Sequence, residues 1–187
     1  MATTAKSKAK RAAERKSRHS TAAQGRDPNR ANARPMSAIE LLEQDHREVE
    51  GFFEEYEGLD DDGQKAELAA KICLALKVHA QIEEEIFYPE ARRATEDDDL
   101  LDEAAVEHAG AKNLIAEIEA MSVGDDLFDA KIKVLGDQIR HHVKEEEHEL
   151  FPEAQAAKME LEGLGEKLAI RKAALMSQLS REPSRVE

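Results

Sequence analysis

Two stretches of the sequence carry the same arrangement of imidazole and carboxylate side chains. Residues 79–89 and 142–152 align without a gap, and both read His, three residues, two Glu, three residues, an aromatic residue and Pro. Imidazole nitrogens and carboxylate oxygens are metal ligands and also carry protons in catalysis. A frame of this length repeated this closely indicates an internal duplication and not a chance His-Glu pair.

Two further histidines complete the repeat. His46 precedes His79 by 33 residues, and His108 precedes His142 by 34 residues. The duplicated unit is therefore expected to be a helical hairpin with one His on its first helix and a His-Glu pair on its second. Positions four apart share one face of a helix, so the His and Glu of each pair should both face the interior. The candidate metal ligands are His46, His79, Glu83, His108, His142 and Glu146.

Four imidazoles and two carboxylates in an apolar interior need a compensating positive charge, which metal ions would supply. Two carboxylates that reach in from opposite helices suit a bridge between two ions about 3.5–4 Å apart. Imidazole with carboxylate and without thiolate favours Fe, Mn or Zn, and ligand type does not choose among them. The expected assignment is His46 and His79 on one ion, His108 and His142 on the other, and Glu83 and Glu146 as bridges.

The elements that must position these side chains are helices. From residue 37 onward, apolar residues recur at spacings of three and four without strand-like alternation, which predicts helices. The first opens with the capping-box residues Ser37 and Glu40 and ends at Gly58. The second follows Gly63 and is expected to be stopped or kinked by Pro89, because proline removes a backbone donor and crowds the preceding turn.

The third predicted helix starts at the acidic residues 97–99 and reaches Met121, and the fourth starts after residues 124–125, with Pro152 near its end. The connections are short, so sequential helices should be antiparallel. The predicted fold is therefore all-α, an up-down-up-down antiparallel four-helix bundle over residues 37–157.

The two ends of the chain are expected to lie outside this bundle. Residues 158–187 contain an amphipathic helix at roughly 158–180, interrupted by Gly163 and Gly165. Residues 1–36 carry ten basic and two acidic side chains, a net charge of +8, against −22 for the rest of a chain whose total is −14. This segment has almost no bulky apolar residue, so it is predicted to be a disordered basic arm. It either solubilises the chain or makes non-specific contacts with nucleic-acid phosphates.

Composition excludes several classes of protein. A single cysteine, Cys73, permits no disulfide within the chain, which favours a reducing, cytoplasmic location. No apolar run approaches the roughly 20 residues that cross a bilayer, so no membrane span is expected. No apolar stretch follows the N-terminus, so no secretory signal is expected.

These residues resemble the hemerythrin-like HHE cation-binding family over about residues 37–155. The family has a lone His on its first helix, His-x-x-x-Glu on its second, His on its third, and His with a downstream carboxylate on its fourth. The six candidate ligands match these positions, and the sequence around Asp45, His46 and Arg47 is also similar. The resemblance implies a four-helix bundle around a non-haem di-iron centre, with two Fe ions joined by an oxo or hydroxo bridge.

One departure from the oxygen-carrying hemerythrins bears on function. These carriers have a second His one turn after the His of the third helix, and Lys112 stands at that position here. They also use an Asp five residues after the last His, where this chain has Glu146 at four. The resemblance then implies more open coordination, so we expect a protein that binds, senses or reacts with O2, H2O2 or NO, and simple O2 transport is disfavoured. The alternatives are a peroxidase- or catalase-like or NO-handling enzyme, and a metal-free helical adaptor whose basic arm contacts nucleic acid.

Other polar and aromatic residues near the repeat receive plainer interpretations. Glu50 is expected not to be a ligand, and Tyr88 is interpreted mainly as core packing, with hydrogen bonding as a minor possibility. Glu145 and His148 have the spacing of ferritin-like sites, but the repeat equivalents are Ile82 and Glu85, so that reading is rejected. The glutamates interpreted as a solvated face are Glu84, Glu85, Glu147 and Glu149.

Overall fold

The computed structural model describes residues 34–95 and 98–180, and every regular element in these ranges is helical. The predicted basic arm over residues 1–36 therefore lies, apart from its last three residues, outside the described residues. None of the described helices combines the length and the apolar character needed to cross a membrane.

Seven α-helices and two π-helical turns follow one another along the described chain. The turns cover Glu83–Phe87 and Glu146–Leu150. The helices are α1 Ala38–Glu57, α2 Asp62–Ile82, α3 Tyr88–Thr95, α4 Asp99–Glu119, α5 Phe128–Glu145, α6 Phe151–Ala156 and α7 Leu161–Leu179.

Helices α1, α2, α4 and α5 form the predicted four-helix bundle, in which each packs against two of the others. The predicted capping box begins α1, where the Glu40 N–H donates to Ser37 Oγ and the Ser37 N–H donates to the Glu40 carboxylate. At the far end of α1, the Tyr56 hydroxyl donates to Asp129 at the start of α5, with 2.7 Å between the oxygens. The end of α1 thus meets the start of α5, as antiparallel neighbours do.

The two prolines of the repeat do not end their helices. Pro89 is predicted to stop or kink the second helix; the chain does not stop there, because the helical path continues through a π-turn into α3. The Tyr88 N–H donates to the Glu83 carbonyl five residues earlier, and the Phe151 N–H donates in the same way to Glu146. The wider turn directly before each proline lets the chain stay helical where a regular α-turn would be crowded. Both repeats therefore place a candidate glutamate ligand at the first position of a π-turn.

The C-terminal helix α7 is not interrupted by its glycines, contrary to the prediction. Gly163 and Gly165 lie in its first turns, and the Glu160 side chain accepts from the Gly163 N–H. A Cβ at Gly165 would lie 2.1 Å from the Met36 carbonyl oxygen, so glycine allows α7 to approach the start of α1 closely. Helix α7 packs against α1 and α2 and buries Leu168 fully.

The interior consists of two apolar clusters with a polar layer between them. Along α1, Leu42 belongs to the first cluster and Val49 to the second, and the polar residues lie between them in sequence. Along α2 the order is reversed, with Ile72 in the second cluster and Ile82 in the first. The buried polar side chains of the described residues are Asp45, His46, His79, Glu83, His108, His142 and Glu146.

Candidate metal centre

The four candidate histidines meet in two pairs in this polar layer. The Nε2 atoms of His46 and His79 are 3.1 Å apart, and the Nε2 atoms of His108 and His142 are also 3.1 Å apart. Each pair joins the first and second helices of one repeat, so the duplication seen in the sequence is repeated in the geometry. All four imidazoles direct the same nitrogen to the centre.

Two carboxylates lie between the histidine pairs. Glu83 Oε2 is 3.2 Å from His79 Nε2 and 3.4 Å from His108 Nε2. Glu146 Oε2 is 3.3 Å from His46 Nε2 and 3.5 Å from His142 Nε2. Each glutamate thus contacts one imidazole of each pair, as a carboxylate that bridges two ions would.

Several oxygens at the centre have no hydrogen-bond partner among the described residues. Both carboxylate oxygens of Glu83 and Oε2 of Glu146 are buried without a hydrogen bond, and Glu83 is 0% exposed. A buried carboxylate without partners carries a large desolvation cost, which a cation at the centre would offset. The donors also group as a metal site requires, with His46, His79, Glu83 and Glu146 in one set and Glu83, His108 and His142 in another. The donor set therefore fits a pair of metal ions.

A second ring of carboxylates surrounds the imidazoles on the side away from the centre. His46 Nδ1 is 2.9 Å from Glu147, His108 Nδ1 is 3.0 Å from Glu84, and His142 Nδ1 is 2.8 Å from Glu107. His79 Nδ1 lies 3.6 Å from Asp45 Oδ2, beyond a normal hydrogen bond. Carboxylates in this position orient metal-ligating imidazoles and make them more basic.

This outer ring corrects the sequence interpretation. Glu84 and Glu147 were expected on a solvated face, and Glu84 is exposed and Glu147 partly so, but each also lies within hydrogen-bonding distance of a candidate histidine ligand. Both sit one residue after a candidate glutamate ligand, and Asp45 and Glu107 sit one residue before a candidate histidine. The repeat itself was the signal that could have identified all four.

Charge and burial act in opposite directions on the ionisable groups of the centre. Burial lowers the pKa of the His79 imidazole, but the charge of Glu83 and the contact with Asp45 outweigh it and raise that pKa to about 10. Burial also lowers the pKa of His108, and there it prevails. Burial raises the pKa of Glu146, whereas the charges of His142 and His46 outweigh it and hold that pKa below its usual range. Because imidazole must lose its proton to bind a metal, metal binding should release protons.

The aromatic residues that end the repeated frame break its symmetry. The Tyr88 hydroxyl donates to Glu146 Oε1 at 2.8 Å and lies 3.4 Å from His108 Nε2. Its equivalent Phe151 stacks nearly parallel on His46, with 5.9 Å between ring centroids, and has no hydroxyl to donate. Tyr88 therefore does more than the core packing mainly expected of it, because it supplies a hydrogen bond to one candidate bridge.

The remaining candidates take positions outside the centre. Lys112 Nζ lies 2.5 and 2.6 Å from the two carboxylate oxygens of Glu84. Glu50 pairs with Arg140, so it does not reach the histidines. His148 contacts the Lys144 carbonyl on the exposed side of the helix, which agrees with the rejection of a ferritin-like pair. Glu85 forms an ion pair with Arg171 of α7.

A small cavity adjoins the histidines on the side of the second apolar cluster. Its volume is about 20 Å³, and a single water-sized probe needs roughly 10–15 Å³, so it has room for one small molecule. The four histidines line it, together with Asp45 and Lys112. Its apolar lining consists of Val49, Leu76, Ala80, Ala111, Ile115, Ile139 and Val143.

Comparison with known proteins agrees with the helical fold and with a cation-binding domain. Residues 37–154 match the hemerythrin HHE cation-binding domain. A DNA nickase from Nostoc sp. is 30% identical over 116 residues, which are 62% of this chain and 33% of the nickase, so the chain spans about a third of that relative's length. The crystal structure of a hemerythrin HHE cation-binding domain-containing protein from Mycobacterium kansasii superposes with a TM-score of 0.66 at 22% identity. The matched region covers 76% of this chain and 89% of the Mycobacterium kansasii chain, and this likeness supports the fold.

Proposed function

This chain belongs to the hemerythrin HHE cation-binding family, and we propose that it holds two iron ions at which O2, peroxide or NO binds or reacts. The proposed ligands of one ion are His46 and His79, and those of the other are His108 and His142. Glu83 and Glu146 would supply carboxylate oxygens to both ions. Manganese or zinc are the other metals that this donor set would accept.

The observation that carries the proposal is the unsatisfied polar centre. Four imidazole Nε2 atoms point at two buried carboxylates, and three of the four carboxylate oxygens lack a hydrogen bond among the described residues. A structural ion-pair network would be expected to satisfy its own acceptors. Two cations at this position would satisfy the oxygens and accept the imidazole nitrogens at the same time.

The residues around the centre have separate roles in this proposal. Bound iron would supply positions for a small ligand and the electrons to reduce it. The carboxylates of the outer ring hold each imidazole in orientation through its Nδ1 atom. Burial and the charges of Glu83 and Glu146 raise the pKa of Tyr88 well above its usual value, so its hydroxyl keeps its proton and donates a hydrogen bond to Glu146.

Simple O2 transport is disfavoured in this proposal. At the position of the fifth histidine of oxygen carriers, Lys112 pairs with Glu84 and not with the centre. One ion would thus lack a protein ligand that the carriers have. Open coordination favours sensing or reaction with O2, peroxide or NO over reversible carriage.

Metal reconstitution tests the proposal. The chain is loaded with Fe(II) without oxygen, freed of excess metal and measured by elemental analysis and absorption spectroscopy, with His141→Ala as a control that should keep its metal. Two irons per chain are expected. A folded chain without metal would contradict the proposal and leave the metal-free adaptor.

The same preparation separates a sensor from an enzyme. Mixing it with NO or H2O2 should give a reversible spectral change with one ligand per centre if the protein binds or senses. Many turnovers per centre indicate a peroxidase- or catalase-like or NO-handling enzyme instead.

The single cysteine, which is buried, is consistent with action in the reducing cytoplasm.

A second candidate function rests on residues 1–36. Their ten basic side chains, together with the name of the Nostoc relative, support a non-specific contact with DNA or RNA. Phosphate contacts of this kind release counterions, so affinity should fall steeply as salt rises. Deleting residues 1–36 should abolish binding in an electrophoretic or fluorescence titration, and binding that survives the deletion would exclude this role.

A further inference from the structure

The outer face of one hairpin of the duplication is covered by another helix, and the outer face of the second hairpin is open. Helix α7 lies on the α1–α2 hairpin, where Lys172 and Met176 help to line a pocket of about 110 Å³. The equivalent face of the α4–α5 hairpin is an open groove of about 510 Å³, which we call the α4–α5 groove. No helix in the described part of the chain covers it.

The repeat shows that these are corresponding surfaces. Aligning His46 with His108 and His79 with His142 relates each lining residue of one face to a residue of the other. Apart from Phe52, every α1 and α2 residue that lines the covered pocket has its equivalent among the residues that line the groove. The groove is thus the uncovered copy of the surface that α7 occupies.

Two neighbouring positions on the first helix of each hairpin carry smaller side chains on the open side. Glu48 corresponds to Gly110, and Val49 corresponds to Ala111. A Cβ at Gly110 would meet no atom within 4 Å, so no close contact requires glycine there. The small residues deepen the groove towards the centre.

The groove and the small cavity beside the centre share a wall. His108, Ala111, Ile139 and His142 line both spaces. Ala111 is buried, and its methyl group is the smallest of these four side chains. On the covered side the equivalent Val49 also lines the small cavity, but there the pocket behind it is narrowed to about 110 Å³ and lined in part by Lys172 and Met176 of α7.

These observations identify a path for a small neutral molecule. The inner cavity is lined largely by apolar side chains and holds about 20 Å³, and the mouth of the groove carries the exposed side chains of Val106 and Val134. Resting on the proposed function, we infer that diatomic ligands such as NO and O2 reach the centre through the α4–α5 groove, past Ala111. The size of residue 111 then sets the rate of passage in both directions.

Stopped-flow binding of NO to the Fe(II)-loaded chain tests this path. Ala111→Val restores the residue that the other repeat carries, and should lower the association and dissociation rate constants together by about tenfold, the effect of a barrier raised by about 1.4 kcal/mol. The dissociation constant should change much less than either rate constant, because a barrier on the path slows entry and exit alike. Ala111→Gly should raise both rate constants.

The matched control is Ala75→Val, which adds the same volume in the pocket that Lys172 and Met176 line on the covered face. It should leave both rate constants unchanged, and metal content is measured for every variant. Intact metal with rates insensitive to residue 111, or an equal slowing by Ala75→Val, would overturn the path alone. A wild-type chain that takes up no iron would overturn the proposed function, and the path with it.

Discussion

The α1–α2 and α4–α5 hairpins present the same inner donors in different surroundings. Both bring a histidine pair to 3.1 Å between Nε2 atoms, and both begin a π-turn at a buried glutamate. Outside the centre they diverge, because α7 covers only the first hairpin and Lys172 contacts Asp45 there. The equivalent Glu107 lies at the open groove beside His141.

This difference separates two requirements on the molecule. A pair of ions between four helices needs matched donors from both hairpins, which the duplication has kept. Ligand access to the centre, hydrogen bonding and packing around it need no such match. In these respects the repeats differ: Tyr88 of one corresponds to Phe151 of the other, and Val49 corresponds to Ala111. We therefore expect substitutions at the inner donors to act alike in both repeats, and those around them to act unequally.

The largest effect should come from the shared carboxylates. Glu83→Ala and Glu146→Ala should each remove metal from both positions, because each carboxylate lies between the two histidine pairs. His79→Ala should affect its own ion most. Elemental analysis checks this, and His141→Ala should retain wild-type metal. Equal metal loss in His141→Ala would show that the assumed ligand set is wrong.

Removing a buried side chain from the covering helix should have the next largest effect. Leu168 of α7 is 0% exposed in the first apolar cluster, so Leu168→Ala should lower the free energy of unfolding by about 2–5 kcal/mol. Urea denaturation measures this. Ile170→Ala, at a side chain on the same helix that is 73% exposed, should change it by less than about 0.5 kcal/mol. Similar values for both would mean that α7 does not stabilise the first hairpin.

Substitutions of the outer carboxylates should lower metal affinity by different amounts in the two hairpins. Glu107→Gln should weaken metal binding by about 10–100-fold, since Glu107 lies 2.8 Å from His142 Nδ1. Asp45→Asn should weaken it less, because Asp45 Oδ2 lies 3.6 Å from His79 Nδ1. Competition with a chelator of known affinity gives both values. A larger loss for Asp45→Asn would reverse the inferred order of the two hairpins.

The hydroxyl present in only one repeat should have the smallest of these effects. Tyr88→Phe leaves the buried Glu146 Oε1 without its donor, so it should destabilise the chain by about 1–2 kcal/mol. Tyr56→Phe is the matched control, because its partner Asp129 is 61% exposed and water can replace the lost donor. Urea denaturation compares the two. No difference between them would mean that Glu146 does not depend on Tyr88.

Much of this architecture could be predicted from the sequence because it follows from periodicity. The helices, the capping box at Ser37 and the bundle follow from local patterns, and the repeat identified six side chains that the structure brings together. Their role as metal ligands stays a prediction. The family match supports the cation-binding character of the domain without choosing iron.

The features that the sequence did not predict depend on contacts between distant residues or, at Pro89, on a local departure from regular α-helix. From the sequence, Gly165 is interpreted as a helix breaker. In the structure the carbonyl of Met36 lies so close to it that a side chain would not fit. Pro89 looks like a helix end because the compensating π-turn arises before it, over residues whose propensities are ordinary. Glu84 looks solvated along its own helix, and its contact with His108 comes from the opposite hairpin.

Anomalous diffraction at the iron edge, from crystals of the Fe-loaded chain, tests the central claim most directly. Two peaks about 3.5–4 Å apart are predicted, one beside His46 and His79 and the other beside His108 and His142, with Glu83 and Glu146 between them. A single peak, a peak only at the exposed His141, or no peak in a folded chain would contradict the account.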